Sequence, residues 1–119
     1  MKAIFIILLS VIYINSLAQT ADEFFNNGNT KFTHKDYTGA IADYSKAIAL
    51  NPKNANFWFN RGIAKNSLPD YSGAIEDYTK AIEINPTLAD AYFNRGIYKI
   101  LLNQKDSGVP GSEKSRRIR

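Results

Sequence analysis

Of the side chains able to engage a ligand, the most regularly placed are Phe25, Phe59 and Phe93, evenly spaced along the chain and each followed by an asparagine (Asn26, Asn60, Asn94). A phenylalanine offers apolar area to a partner and an amide both donates and accepts, so the pairing suits capture of an extended peptide backbone. Asn29, Ile63 and Ile97 complete the candidate partner-binding set. For the phenylalanines, packing between helices accounts for the pattern as well as binding does. Asparagine buries poorly unless hydrogen-bonded, which favours a binding role for the amides.

Catalysis needs convergent groups, and the usual sets are missing. The single histidine, His34, falls in a turn between two predicted helices, and the chain has no cysteine. No His-Glu-x-x-His pattern, Gly-x-Ser-x-Gly elbow or phosphate-cradling Gly-x-x-x-x-Gly-Lys loop occurs. Adjacent acids such as Glu76 and Asp77 point in different directions on a helix and are expected to face solvent. Trp58, Tyr44 and Tyr78 sit at positions that packing explains. No catalytic residue, metal ligand or cofactor is expected.

The net charge of +4 is segregated along the chain. Residues 19–102 carry nine Lys or Arg and nine Asp or Glu, residues 103–119 carry five basic and two acidic residues, and Lys2 supplies the remainder. A surface that binds by releasing counterions needs basic clusters on the folded body, so nucleic acid is not an expected partner. The segment from Met1 to Ala18 has the build of a secretory leader: Lys2, an apolar run from Ala3 to Ile14, then Ser16-Leu17-Ala18 with small residues where a signal peptidase requires them. Cleavage is expected after Ala18. The apolar run falls short of the roughly 20 apolar residues that span a bilayer, so no stable membrane span is expected after cleavage. The expected destination is the periplasm or the exterior.

The elements that position the Phe-Asn ladder follow from the internal period. Residues 21–54 match 55–88 at 17 of 34 positions. The run Gly-Ala-Ile-x-Asp-Tyr-x-Lys-Ala-Ile appears from Gly39 to Ile48 and again from Gly73 to Ile82. A third copy, 89–102, matches the second at 8 of 14 positions. Ala40, Ile41, Tyr44, Ala47 and Ile48 recur at helical spacing, with Asp43 and Lys46 between them. Each full copy therefore holds two helices, predicted in the first copy at 21–33 and 37–50, with Asp36 capping the second. Pro52 and Pro86 end the units. The turn between the helices is short, so the pair lies antiparallel.

This pattern resembles the tetratricopeptide repeat. That family places a bulky aromatic at the fourth position, Gly or Ala at the eighth, Ala at the twentieth, an aromatic at the twenty-fourth, Ala at the twenty-seventh and Pro at the thirty-second. The first copy has Phe24, Gly28, Ala40, Tyr44, Ala47 and Pro52, and the second Trp58, Gly62, Ala74, Tyr78, Ala81 and Pro86. Small residues let paired helices approach closely while large ones fill the space between turns. The resemblance implies an all-α, antiparallel helix-pair solenoid over 21–102, with two complete repeats plus one extra helix. It also implies a non-catalytic scaffold whose concave surface, lined by the first helix of each repeat, binds a protein or peptide. Some cytosolic members hold the terminal carboxylate of a chaperone peptide with two Lys, two Asn and one Arg. Transferred by position, the Asn sites fall on Asn29 and Asn60, while the basic sites fall on Phe25, Asp90 and Asn94. Without cations the carboxylate lacks its charge-assisted partners, so chaperone-tail capture is not expected.

The third copy keeps Tyr92 and Gly96 but then departs. Where its second helix needs Ala, an aromatic and Ala, the chain has Gly108, Ser112 and Ser115, with Pro110 and Gly111 breaking any helical run. A basic, disordered tail is expected over 103–119, either native or produced by a frameshift near Ser107 in a longer repeat protein. Fewer than three stacked repeats leave faces uncovered. Self-association through the C-terminal helix, giving a structural or assembly role, is therefore the rival expectation.

Overall fold

A computed structural model describes residues 19–107 of the chain. The expected leader and the part of the expected tail from Gly108 onward lie outside the described residues. Five helices follow one another: α1 (Ala21–Thr33), α2 (Tyr37–Leu50), α3 (Ala55–Ser67), α4 (Tyr71–Ile84) and α5 (Ala89–Asp106). No strand occurs among the described residues. The bounds of α1 and α2 are those that the periodicity predicts. α5 differs, running past Leu102, so that Asn103–Asp106 are helical rather than part of a tail. This stretch contains neither Gly nor Pro, and the ladder continues until Ser107 donates its N–H to the Asn103 carbonyl, just before Gly108.

The start signals are side-chain caps. Asp36 Oδ1 accepts from Gly39 N at 2.9 Å and Asp70 Oδ1 from Gly73 N at 3.0 Å, the same device at the same position of each repeat. Thr20 caps α1 and Asn54 caps α3 in the same manner. Leu88, at the start of α5, offers no side-chain cap. At the α1–α2 turn Lys35 takes a left-handed φ of 62°, while Asp36 N reaches back to Lys31 O at 2.9 Å and Lys35 N to Phe32 O at 2.9 Å.

Each helix packs chiefly on its neighbours in sequence, the one-dimensional arrangement of a solenoid. Within the first pair, Lys31 meets Asp43, Gly28 meets Tyr44, and Phe24 packs on the Ala47–Ile48 cluster, so the order reverses and the helices run antiparallel. Gly28 is required by this approach. A Cβ there would stand 2.6 Å from Tyr44 Cε1, and at Gly62 it would stand 2.8 Å from Tyr78 Cε1. At Gly96 the same atom would meet nothing within 4 Å, because no helix among the described residues follows α5 to occupy that place. Ala64 closes over Ala40 and Tyr44, and Ala91 over Ala74 and Tyr78, which joins one repeat to the next. Tyr44, Tyr78 and Phe57 are the largest side chains removed from water.

Candidate functional site

The candidate groove forms where the first helices of the two repeats lie side by side. The buried ring of Tyr44 from α2 passes between them and donates its hydroxyl to Asn29 Oδ1 at 2.7 Å. Asn60 Nδ2, from α3, approaches the same oxygen at 3.4 Å. The shared acceptor fixes which way both amides point. It leaves the Asn29 Nδ2 donors and the Asn60 Oδ1 acceptor for a ligand. These two amides, with Phe32, Thr33, Tyr44 and Ile63, line a cavity of about 360 Å³. One donor and one acceptor above an apolar floor match the N–H and C=O groups of an extended backbone.

The second repeat builds a variant of the same device. There Asn66 Nδ2 donates to the Tyr78 hydroxyl, with Asn94 of the next helix beside it. Burial pushes both phenols up to about 12, Tyr44 through desolvation alone and Tyr78 through desolvation first.

The structure brings together Asn29, Asn60 and Ile63 of the predicted set, and separates the others. Phe25 packs on Tyr44 and Phe57, with ring centroids 5.6 and 4.9 Å apart, and Phe59 packs on Tyr78 at 5.6 Å. These two rings are half-buried parts of the core. Phe93 is 69% exposed. Asn26 is exposed, with no helix before α1 among the described residues, and Ile97 is half-buried on α5. Asn29 thus accepts from a buried phenol, and Asn60 braces that acceptor.

Asp77 corrects an expectation. It is 2% exposed rather than solvent-facing, and it takes Arg61 Nε and Nη2 at 2.8 Å each and Lys65 at 3.1 Å. Asp43 is 5% exposed and pairs with Lys31 at 2.8 Å. The Asp43 hydrogen bond and charge raise the Lys31 ammonium above its usual range. A signal for this was available: the Asp precedes the buried Tyr in both copies, and the basic residues Arg61 and Lys65 share one helix face, one turn apart. Trp58 is half-buried, donating to Pro52 O at 2.8 Å beneath the Arg61 guanidinium, where packing alone was expected. His34 caps the end of α1 from an exposed position, as its turn location predicts. A second concavity between the inter-repeat turns has the oxygens of Asn51, Asn54 and Asn85 committed to backbone N–H groups. Among the described residues no group of three or more His, Cys, Asp or Glu stands together, and no helix is long and apolar enough to cross a membrane.

A family model described as TPR repeat matches residues 28–68 and 65–99. Among curated proteins none matches the chain. Solved structures do. The second TPR of Spaghetti (RPAP3), bound to an HSP90 peptide, is 30% identical over 72% of this chain and 80% of that one, with a TM-score of 0.69. The TPR domain of Arabidopsis OM64 is 31% identical over 71% and 69%, with a TM-score of 0.68. The TPR2B domain of yeast Sti1 in its pHsp70 complex is 31% identical over 73% and 70%, also with a TM-score of 0.68.

Proposed function

The chain belongs to the tetratricopeptide-repeat family, and from that premise we propose that it is an exported, non-catalytic scaffold that binds a protein or peptide on its concave helix surface. The observation that carries the reading is the amide pair Asn29–Asn60, held by the buried Tyr44 hydroxyl at the floor of a two-helix groove. Structural neighbours were solved with HSP90 and pHsp70 partners. In this chain Phe25, Asp90 and Asn94 stand where a carboxylate clamp needs cations, so the groove suits an uncharged stretch of extended backbone rather than a chain terminus. Export rests on the leader-like segment from Met1 to Ala18.

Two measurements test this. Peptides selected on the immobilised chain from a random library are titrated against wild type and Asn60→Ala by fluorescence anisotropy. A loss of about tenfold, or about 1.4 kcal/mol, supports the groove. Equal affinity with unchanged circular dichroism overturns it. For export, mass spectrometry of the protein from a secreting host is expected to find Gln19 as the first residue, and an intact Met1 in the cytoplasm contradicts it.

A further inference from the structure

Arg95 on α5 repeats the setting of Arg61 on α3 in all but one respect. Arg61 lies 5.1 Å from the Trp58 ring, donates Nη1 to Ser45 Oγ at 3.1 Å, and gives Nε and Nη2 to Asp77. Arg95 lies 5.5 Å from the Tyr92 ring and donates Nη1 to Thr79 Oγ1 at 3.3 Å. No carboxylate among the described residues meets its other two nitrogens. Lys99 occupies the place of Lys65, which reaches Asp77, and has no acid among the described residues either. Between these cations and the rim formed by Phe93 (69% exposed) and Ile100 (61%) lies the open notch at Gly96. In the two complete repeats that notch holds a tyrosine ring.

An arginine held in place with a lysine one turn on, a ring-sized notch and an apolar rim on one face together define an occupant. It is a helix bearing Ala-x-x-Asp-Tyr-x-x-Ala, the order of Ala40, Asp43, Tyr44 and Ala47 and of Ala74, Asp77, Tyr78 and Ala81. We propose that α5 docks, in trans and antiparallel, an amphipathic helix of this chemistry from another polypeptide. The Asp pairs with Arg95 and Lys99, and the Tyr enters the Gly96 notch. Residues 108–119 do not carry this pattern: they have no aromatic and hold four basic residues against Glu113, the same sign as the cations to be covered. A second copy owns two such helices, but Asp43, Tyr44, Asp77 and Tyr78 are each no more than 5% exposed within their own repeats. This surface is separate from the Asn29–Asn60 groove, so the two readings stand or fall independently.

The probe is a capped synthetic peptide spanning Asp70–Pro86, titrated by anisotropy into the full chain. One-to-one binding with a gain of helicity in the peptide is expected. Arg95→Ala, which removes the guanidinium partner of the Asp, or Asp77→Asn in the peptide, which leaves both cations unpaired, weakens it by about tenfold or more. Gly96→Leu, a change at a position facing open space, abolishes it. Absence of binding overturns the proposal. So does binding that survives Gly96→Leu, which means the peptide enters by displacing α4. Sedimentation of the chain alone supplies the third arm: a monomer is expected, and a dimer that Gly96→Leu dissociates overturns the proposal by seating a second copy there instead.

Discussion

α3 and α5 share the run Phe-Asn-Arg-Gly-Ile, at 59–63 and 93–97, yet the same residues live in different surroundings. Phe59 lies half-buried on Tyr78, Gly62 is pressed by that ring, and Arg61 is neutralised by Asp77. On α5 the phenylalanine is out, the glycine faces open space and the arginine has no carboxylate among the described residues. The residues of a helix therefore determine which groups are able to pack, and the next helix decides whether they do. In a solenoid that dependence is local, because a repeat touches only its neighbours.

Alkali should break the complete repeats first. Tyr44 and Tyr78 hold their protons to about pH 12 in the fold, against roughly 10 for an unfolded tyrosine. Their contribution is fully present below about pH 10 and is lost as pH rises through about 12. Helical circular dichroism and phenolate absorbance are expected to change together across that window. Helix loss completed before the window opens contradicts the assignment.

Next in size is the buried ion group. Asp77→Ala leaves Arg61 and Lys65 facing a hole and should cost about 3 kcal/mol in urea unfolding. Asp43→Ala, whose partner Lys31 is exposed, should cost clearly less. Equal losses would remove the distinction between the two sites.

The glycines give the sharpest contrast between α3 and α5. Gly62→Ala forces a methyl group into Tyr78 and should cost about 2 kcal/mol, while Gly96→Ala meets open space and should gain up to about 1 kcal/mol from helix propensity. The two variants moving in the same direction in thermal melts would mean α5 is covered.

The smallest effect concerns the caps. Asn54→Ala removes the Asn56 N–H acceptor and should cost about 1 kcal/mol, read from the shift in urea midpoint. α5 starts at Leu88 without such a bond, so it has no equivalent to lose.

The repeat is legible in the sequence because its physics is local. Asp36 and Asp70 announce helix starts, Pro52 and Pro86 announce ends, and the small residues mark where helices cross. The groove is legible only in part. Asn29 and Asn60 stand out individually, but their link through Tyr44 depends on side chains 15 and 31 residues apart in sequence, which periodicity does not join. Phe25 and Phe59 look like ligand contacts because burial of a ring is decided by the facing helix. Asp77 looks exposed for the converse reason, since its partners come from α3. The extension of α5 to Asp106 escapes the periodicity because the repeat alignment ends at Leu102 whereas helix propensity does not.

Among the described residues α5 is packed on one side where α3 is packed on two, and native-state amide hydrogen exchange, followed residue by residue, measures that difference directly. Protection in α3 is predicted to exceed that in α5 by a factor on the order of ten or more, with the α5 amides opening independently of α1 to α4. Equal protection along both helices would contradict it.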